Sequence, residues 1–246
     1  MPEDSAKNET LKRWSFDRKL PLVDQVYDDL RRRILSFELA PDVSLSRQEL
    51  SEHYGVSQTP LRDAIGRLER DGLVDIYPQS KTVVTRIDVG LVRETQFMRT
   101  AFEVEIVAML AADPDKSRIS PAAESIERMQ WMLQRAPGLD AGRDPGFGEF
   151  NRLDKEFHRC LYAAADKLGL CEVVESRSGQ LDRIRRLHLQ MREESKSAEV
   201  VADHARVVAA IRGSDMEGAR AAMRAHLSGT LSRLDALRGH FPGYFA

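Results

Sequence analysis

Residues 55–74 read GVSQTPLRDAIGRLERDGLV, and this stretch decides the architecture of the N-terminal third of the chain. Gly55 suits the left-handed stop of one helix and Ser57 the N-cap of the next, while Pro60 falls in a first turn, where a missing N–H costs little. Ala64, Ile65 and Leu68 form a packed face that Leu73 continues beyond the break at Asp71-Gly72. Upstream, Ser46-Arg47-Gln48-Glu49 has the form of a capping box and opens a short helix that ends at Tyr54. Further upstream, Leu22, Val26, Leu30 and Ile34 recur at helical spacing towards Phe37, and Ala40-Pro41-Asp42 breaks the pattern. Downstream, residues 73–77 and 82–85 flank the turn formers Pro78-Gln79-Ser80-Lys81 and read as two strands of a hairpin. Helix, helix, turn, helix and hairpin make a winged helix-turn-helix over residues 20–86, a DNA-binding unit whose second turn-joined helix fits the major groove. Residues 1–19 are polar enough to be a flexible tail.

Charge composition adds nothing to that expectation. The chain of 246 residues has a formal net charge of −2, and acids outnumber bases over residues 1–90. A nucleic-acid function therefore rests on where a few side chains point. The Ser57 and Thr59 hydroxyls and the helix N-terminal amides suit phosphates, Gln58 an adenine edge, and Arg62 guanine O6 and N7. Lys81 at the hairpin tip suits a neighbouring phosphate or the minor groove.

The whole of residues 20–86 resembles the DNA-binding domain of the GntR family of bacterial transcription regulators, most closely in GVSQTPLRDAI and LERDGLV. The resemblance places Ser57, Gln58, Thr59 and Arg62 on DNA-contacting positions and makes Arg47 or Gln48 a phosphate contact. Two residues depart from the family pattern: Gln58 stands where many members have Arg, and Lys81 where many have Gly at the wing tip. The first bears on the operator sequence, the second adds a cation.

After Asp88 the strand signals stop. Helical segments run over 89–112, 121–136, 147–167, 170–193, 198–212 and 215–238, punctuated by Asp113-Pro114, Ser120-Pro121, Pro137-Gly138, the loop 140–146, Gly169, residues 195–197 and Gly213-Ser214. Residues 87–246 thus read as a second domain, an all-helical bundle. With 42% apolar and 31% charged residues, collagen-like, disordered and disulfide-framework classes are excluded. Cys160 and Cys171 lack metal or redox spacing and read as reduced thiols. No apolar stretch reaches the ~20 residues of a membrane span, and no signal peptide opens the chain, so a cytoplasmic protein without membrane partners is expected.

Polar residues interrupt three apolar stripes of this half. At 100° per residue Asp154 lies within about 60° of Phe147, Phe150, Phe157, Leu161 and Ala165, with His158 one turn on. His204 falls among Val200, Val201, Val207, Val208 and Ile211, and His226 beside Ala219, Ala222, Met223 and Thr230. Each histidine alone reads as a hydrogen-bonded core or surface residue. Together, a carboxylate and three imidazoles facing inward make a set suited to a divalent metal, zinc or nickel, with coordination positions left open. LDKEFHRCL and DHARVVAAIRGSDMEGARAAMRAHL resemble the FCD subgroup of the same family, the FadR-type C-terminal domain, in which Asp-x-x-x-His and two later His bind a metal within the bundle. The resemblance carries over to Asp154, His158, His204 and His226.

Arg99 and Glu103 share a helix face with Val92, Phe102, Ile106 and Leu110, so Arg99 either pairs with Glu103 or clamps a carboxylate effector. His188 projects with Leu181, Ile184 and Met191, towards the ligand or towards solvent. The combined expectation is no enzyme but a homodimeric regulator, a repressor in the commoner mode, that binds palindromic operator DNA and a small carboxylate or sugar-acid effector at a metal. The alternatives are a metal-dependent enzyme with a fused DNA-binding domain and an architectural DNA-binding protein with a structural zinc.

Overall fold

The computed structural model describes residues 17, 19–78, 80–135, 145–191 and 195–246. The expected tail, residues 1–19, falls almost wholly outside them, as does the loop 140–146 up to residue 144. The chain divides into two compact units, Met1–Ile87 with Ala246, and Asp88–Phe245.

In the first unit α1 (Leu22–Leu35), α2 (Arg47–Tyr54) and α3 (Gln58–Arg70) enclose a core of Val26, Leu30, Ile34, Leu61, Ile65 and Leu68. The Ser46 hydroxyl accepts from the Glu49 N–H at 3.3 Å, but the reciprocal bond of the expected capping box is not made. Gly55 closes α2 at φ 61° and Gly72 follows α3 at φ 69°, both in the left-handed region that glycine tolerates. α1 is tied to its neighbours by polar contacts: Tyr54 Oη donates to Asp29 Oδ2 at 2.6 Å, Arg67 pairs with Asp24 at 2.6 Å, and Tyr27 donates to Asp71. Burial and the hydrogen bond to Asp29 both hold the Tyr54 phenol in its neutral form.

The wing is a three-stranded antiparallel sheet in the order β1 (Ser44–Leu45), β3 (Lys81–Val84), β2 (Val74–Tyr77). Alternation of apolar and polar residues reveals β2 and β3. It cannot reveal β1, whose two residues are strand only because Ser44 and Leu45 pair with Val83 and Thr82.

In the second unit α4 (Val89–Ala112) is the central helix, opened by Asp88, which accepts from the N–H groups of Gly90 and Leu91. It packs against α6 (Pro145–Ala164), α7 (Leu168–Arg177), α8 (Gly179–Gln190), α9 (Ser195–Arg212) and α10 (Met216–Ser228). α5 (Ser120–Arg135) lies against α6 and α9, and α11 (Leu234–His240) against α8. Two of the expected helices are broken. The segment 170–193 divides at Ser178, whose hydroxyl donates to the Val174 carbonyl and which precedes Gly179, so the last turn tightens and stops. The segment 215–238 divides at Gly229, after which residues 230–233 are turns. Among the described residues no helix is long and apolar enough to cross a membrane.

Candidate functional site

Four residues from three helices converge in the second unit. α6 supplies Asp154 and His158 one turn apart, α9 supplies His204 and α10 His226, and one ligand atom from each lies within 4.8 Å of all the others. His226 Nε2 is 3.2 Å from His204 Nε2 and 3.3 Å from His158 Nε2, and His204 Nε2 is 3.4 Å from Asp154 Oδ1. The outward-facing nitrogens have their own neighbours. His158 Nδ1 lies 2.6 Å from Glu103 Oε2, and His226 Nδ1 lies 3.5 Å from Asp203 Oδ2. A carboxylate accepts only, so each of these contacts favours the proton on Nδ1 and a lone pair on Nε2. Two lone pairs 3.3 Å apart repel, and a shared cation turns that repulsion into coordination. The donor set therefore fits a divalent metal.

Burial favours the ligand forms. His204 is fully buried, with its ring stacked on Phe157 at 3.8 Å and its Nδ1 without a hydrogen-bond partner among the described residues. Burial, and then the neighbouring His226, hold the His204 pKa well below the ordinary histidine value, so the ring is neutral. Burial alone would raise the Asp154 carboxyl, but the nearby charges, that of the Arg185 guanidinium foremost, outweigh it and keep the carboxylate ionised.

Beside this cluster lies a partly open cavity of about 840 Å³, counting the space at its mouth. Asp154 and His226 form part of its wall, with Arg99 from α4 and Arg185 and His188 from α8. Arg99 pairs with Glu103, its Nε donating to Glu103 Oε1 at 2.8 Å, and it also lines the cavity. Glu103 does not line the cavity. It sits between Arg99 and His158, and these two cations or donors overcome its burial and keep it ionised. His188 is buried in the wall and not turned to solvent.

Arg185 and Asp203 belong to this region and were not picked out by periodicity. Arg185 lies three positions before His188 on α8, so the inward projection of His188 is the signal that could have found it. Asp203 directly precedes His204, yet it faces His226 on another helix, which spacing within α9 does not reveal.

In the first unit Ser57, Gln58, Thr59 and Arg62 are all exposed and cluster at the N-terminal end of α3, whose first turn has no acid. Ser57 holds the N-cap position but makes no side-chain cap bond, which leaves its hydroxyl to other partners. Arg62 has no hydrogen bond or ion pair among the described residues. Arg47 is exposed at the start of α2, and Gln48 donates to Glu52 at 3.2 Å. Lys81 is the first residue of β3 and lies over the Tyr77 ring at 5.5 Å. These exposed donors at a helix N-terminus, with a cation on the adjacent wing, suit a polyanion.

Comparison with known proteins agrees with both halves. Residues 22–84 match the family described as bacterial regulatory proteins, gntR family, and residues 94–229 match the FCD domain. The chain is 33% identical over 221 residues to an HTH-type transcriptional regulator in an unstable DNA locus of Streptomyces ambofaciens, covering 90% of this chain and 88% of that one. It is 28% identical over 207 residues to the HTH-type transcriptional repressor RspR of Escherichia coli, covering 84% and 86%. In fold it is similar to E. coli McbR/YncC, with a TM-score of 0.68 at 20% identity over 90% of this chain and 99% of that one. With the exposed donors of α3 and the wing on one unit and the histidine cluster within the other, the chain belongs to the GntR family as a DNA-binding transcription regulator with an FCD domain.

Proposed function

We propose that the chain is a cytoplasmic, homodimeric regulator that binds a palindromic operator through its N-terminal unit and senses a small organic acid at a divalent metal, zinc or nickel, in its C-terminal unit. The observation that carries this reading is the convergence of three imidazole Nε2 atoms and the Asp154 carboxylate beside a cavity lined by Arg99. Asp154, His158, His204 and His226 would hold the ion, which supplies a Lewis acid that an oxygen of the acid can reach. Arg99 attracts the carboxylate, the three imidazoles turn Nε2 inward, and Glu103 and Asp203 orient the rings of His158 and His226. Two copies follow from reading a symmetric site, since each recognition helix covers one half-site.

At the DNA, the Ser57 and Thr59 hydroxyls and the α3 amides would hold phosphates, with Arg47 or Gln48 and Lys81 adding flanking contacts. Gln58 and Arg62 would read base edges. Regulation requires that the acid bind the DNA-free and DNA-bound states with different affinity. Repression relieved by the acid is the mode proposed, in keeping with the relative named as a repressor.

The test begins with selection from random duplexes by the zinc-loaded full chain. The expected product is an inverted repeat whose binding weakens when a panel of small carboxylates and sugar acids is added. Enrichment of no two-fold symmetric site would overturn the DNA reading, and retention unaffected by every acid would overturn the sensing. On the selected duplex, Arg62→Ala is expected to weaken binding by about 1–3 kcal/mol, roughly 5- to 150-fold, and to relax preference at one base pair per half-site. A uniform loss over all sequences would instead make Arg62 a phosphate contact.

A further inference from the structure

The side-chain charges around the cavity balance. Arg233 lies 3.4 Å from Glu199, Arg206 pairs with Asp203, and Lys155 lies 2.7 Å from Asp182. What remains is Arg99 and Arg185 against Glu103 and Asp154, which also balance. With neutral histidine ligands, a divalent ion then adds two positive charges that no side chain of the wall answers. Uncompensated charge in a buried site is costly, so the missing partner must bring negative charge of its own.

The partners of the two arginines show where that charge belongs. Arg99 spends its Nε on Glu103 at 2.8 Å, and Glu103 also faces His158. Arg185 has less: its only ion-pair contacts among the described residues are long, 3.7 Å to Asp182 and 4.0 Å to Asp154, and both acids have closer partners or compete for the metal. It makes no hydrogen bond to a described residue, although a guanidinium carries five donors. Burial and the like charge of Arg99 both disfavour its cation, yet an arginine stays protonated in a protein. Arg185 is an under-partnered fork in the wall of the cavity that Arg99 and His188 also line.

We propose that the effector is a dianionic acid, one carboxylate held at the metal and Arg99 and the second held by Arg185; this rests on the metal-dependent acid sensing proposed above. A monoanion leaves one positive charge and the Arg185 donors unanswered. A diacid answers both, because a carboxylate matches the guanidinium fork with two parallel hydrogen bonds. Arg185 thus sets the specificity of the site, as a group that rewards a second carboxylate and gains nothing from a methyl or hydrogen in its place.

The test uses two pairs of probes that share a hydroxy-acid head and differ by one carboxylate: glycolate against tartronate, and L-lactate against L-malate. Each is titrated by calorimetry into the zinc-loaded full chain. The diacid is expected to bind about tenfold more tightly in at least one pair, and Arg185→Gln to bring that ratio within about twofold, both constants being measured on the same zinc-loaded variant. Arg185→Lys, which keeps the charge but not the fork, is expected to restore part of the ratio. Equal affinity for monoacid and diacid in both pairs overturns the dianion and leaves acid sensing intact. Persistence of the preference in Arg185→Gln overturns the role of Arg185. Binding of none of the four acids overturns the dianion together with the sensing on which it rests.

Discussion

His204→Ala is expected to abolish the stabilisation that zinc gives the full chain. His204 is the fully buried member of the cluster, and its Nε2 is 3.2 Å from His226 Nε2 and 3.4 Å from Asp154 Oδ1. Without it the remaining donors leave one side of the site to the Phe157 ring, on which His204 stacks. An ion that binds only the folded state at a hundred times its dissociation constant stabilises by about 2.7 kcal/mol, a large fraction of a domain's stability. The variant also leaves a hole beside Phe157, so its melting temperature falls whether or not metal is present. The measurement is therefore the difference between zinc-loaded and chelator-stripped melting temperatures, several degrees for the native chain and close to none for the variant. An unchanged difference would mean that zinc stabilises the chain from another site.

The N-terminal unit was legible because its signals are local. Gly55, Ser57 and the spacing of Leu61, Ile65 and Leu68 act within a few residues, and α2 and α3 begin and end where those residues place them. Strand β1 was not legible, since Ser44 and Leu45 become strand only by pairing with a segment almost forty positions later. The breaks at Ser178 and Gly229 escaped for a different reason: each is a short interruption with helical periodicity on both sides. The four residues of the Asp–His cluster stood out as polar residues on apolar stripes. Arg185 and Asp203 did not, because charged residues are ordinary on helices and their inward direction depends on which helix packs against them. Glu103 illustrates the limit best. Its partner Arg99 is one turn away on α4 and could be read from spacing, whereas its contact with His158 joins two helices that only the packed bundle brings together.

That double contact gives Glu103→Ala the largest expected cost of any single change in the second unit. Both Arg99 and Glu103 are buried, and Arg99 Nε has Glu103 as its hydrogen-bond acceptor among the described residues. Removing one member of a buried pair leaves an uncompensated charge and costs about 3–5 kcal/mol. The same change takes the acceptor from His158 Nδ1, freeing the ring to turn and to hold the wrong tautomer. Loss of such a supporting carboxylate lowers metal affinity by about 10- to 100-fold. The two effects separate in the double variant Arg99→Met with Glu103→Leu, in which apolar side chains of similar volume replace the pair. Substitutions of that kind are often neutral or stabilising, so the double variant is expected to regain most of the stability of the stripped chain in urea unfolding. Its zinc affinity is expected to stay low, because His158 still lacks its carboxylate. If instead zinc binds the double variant as tightly as the native chain, Glu103 serves only to neutralise Arg99, and the His158 ring is held by packing against Phe157 and His226.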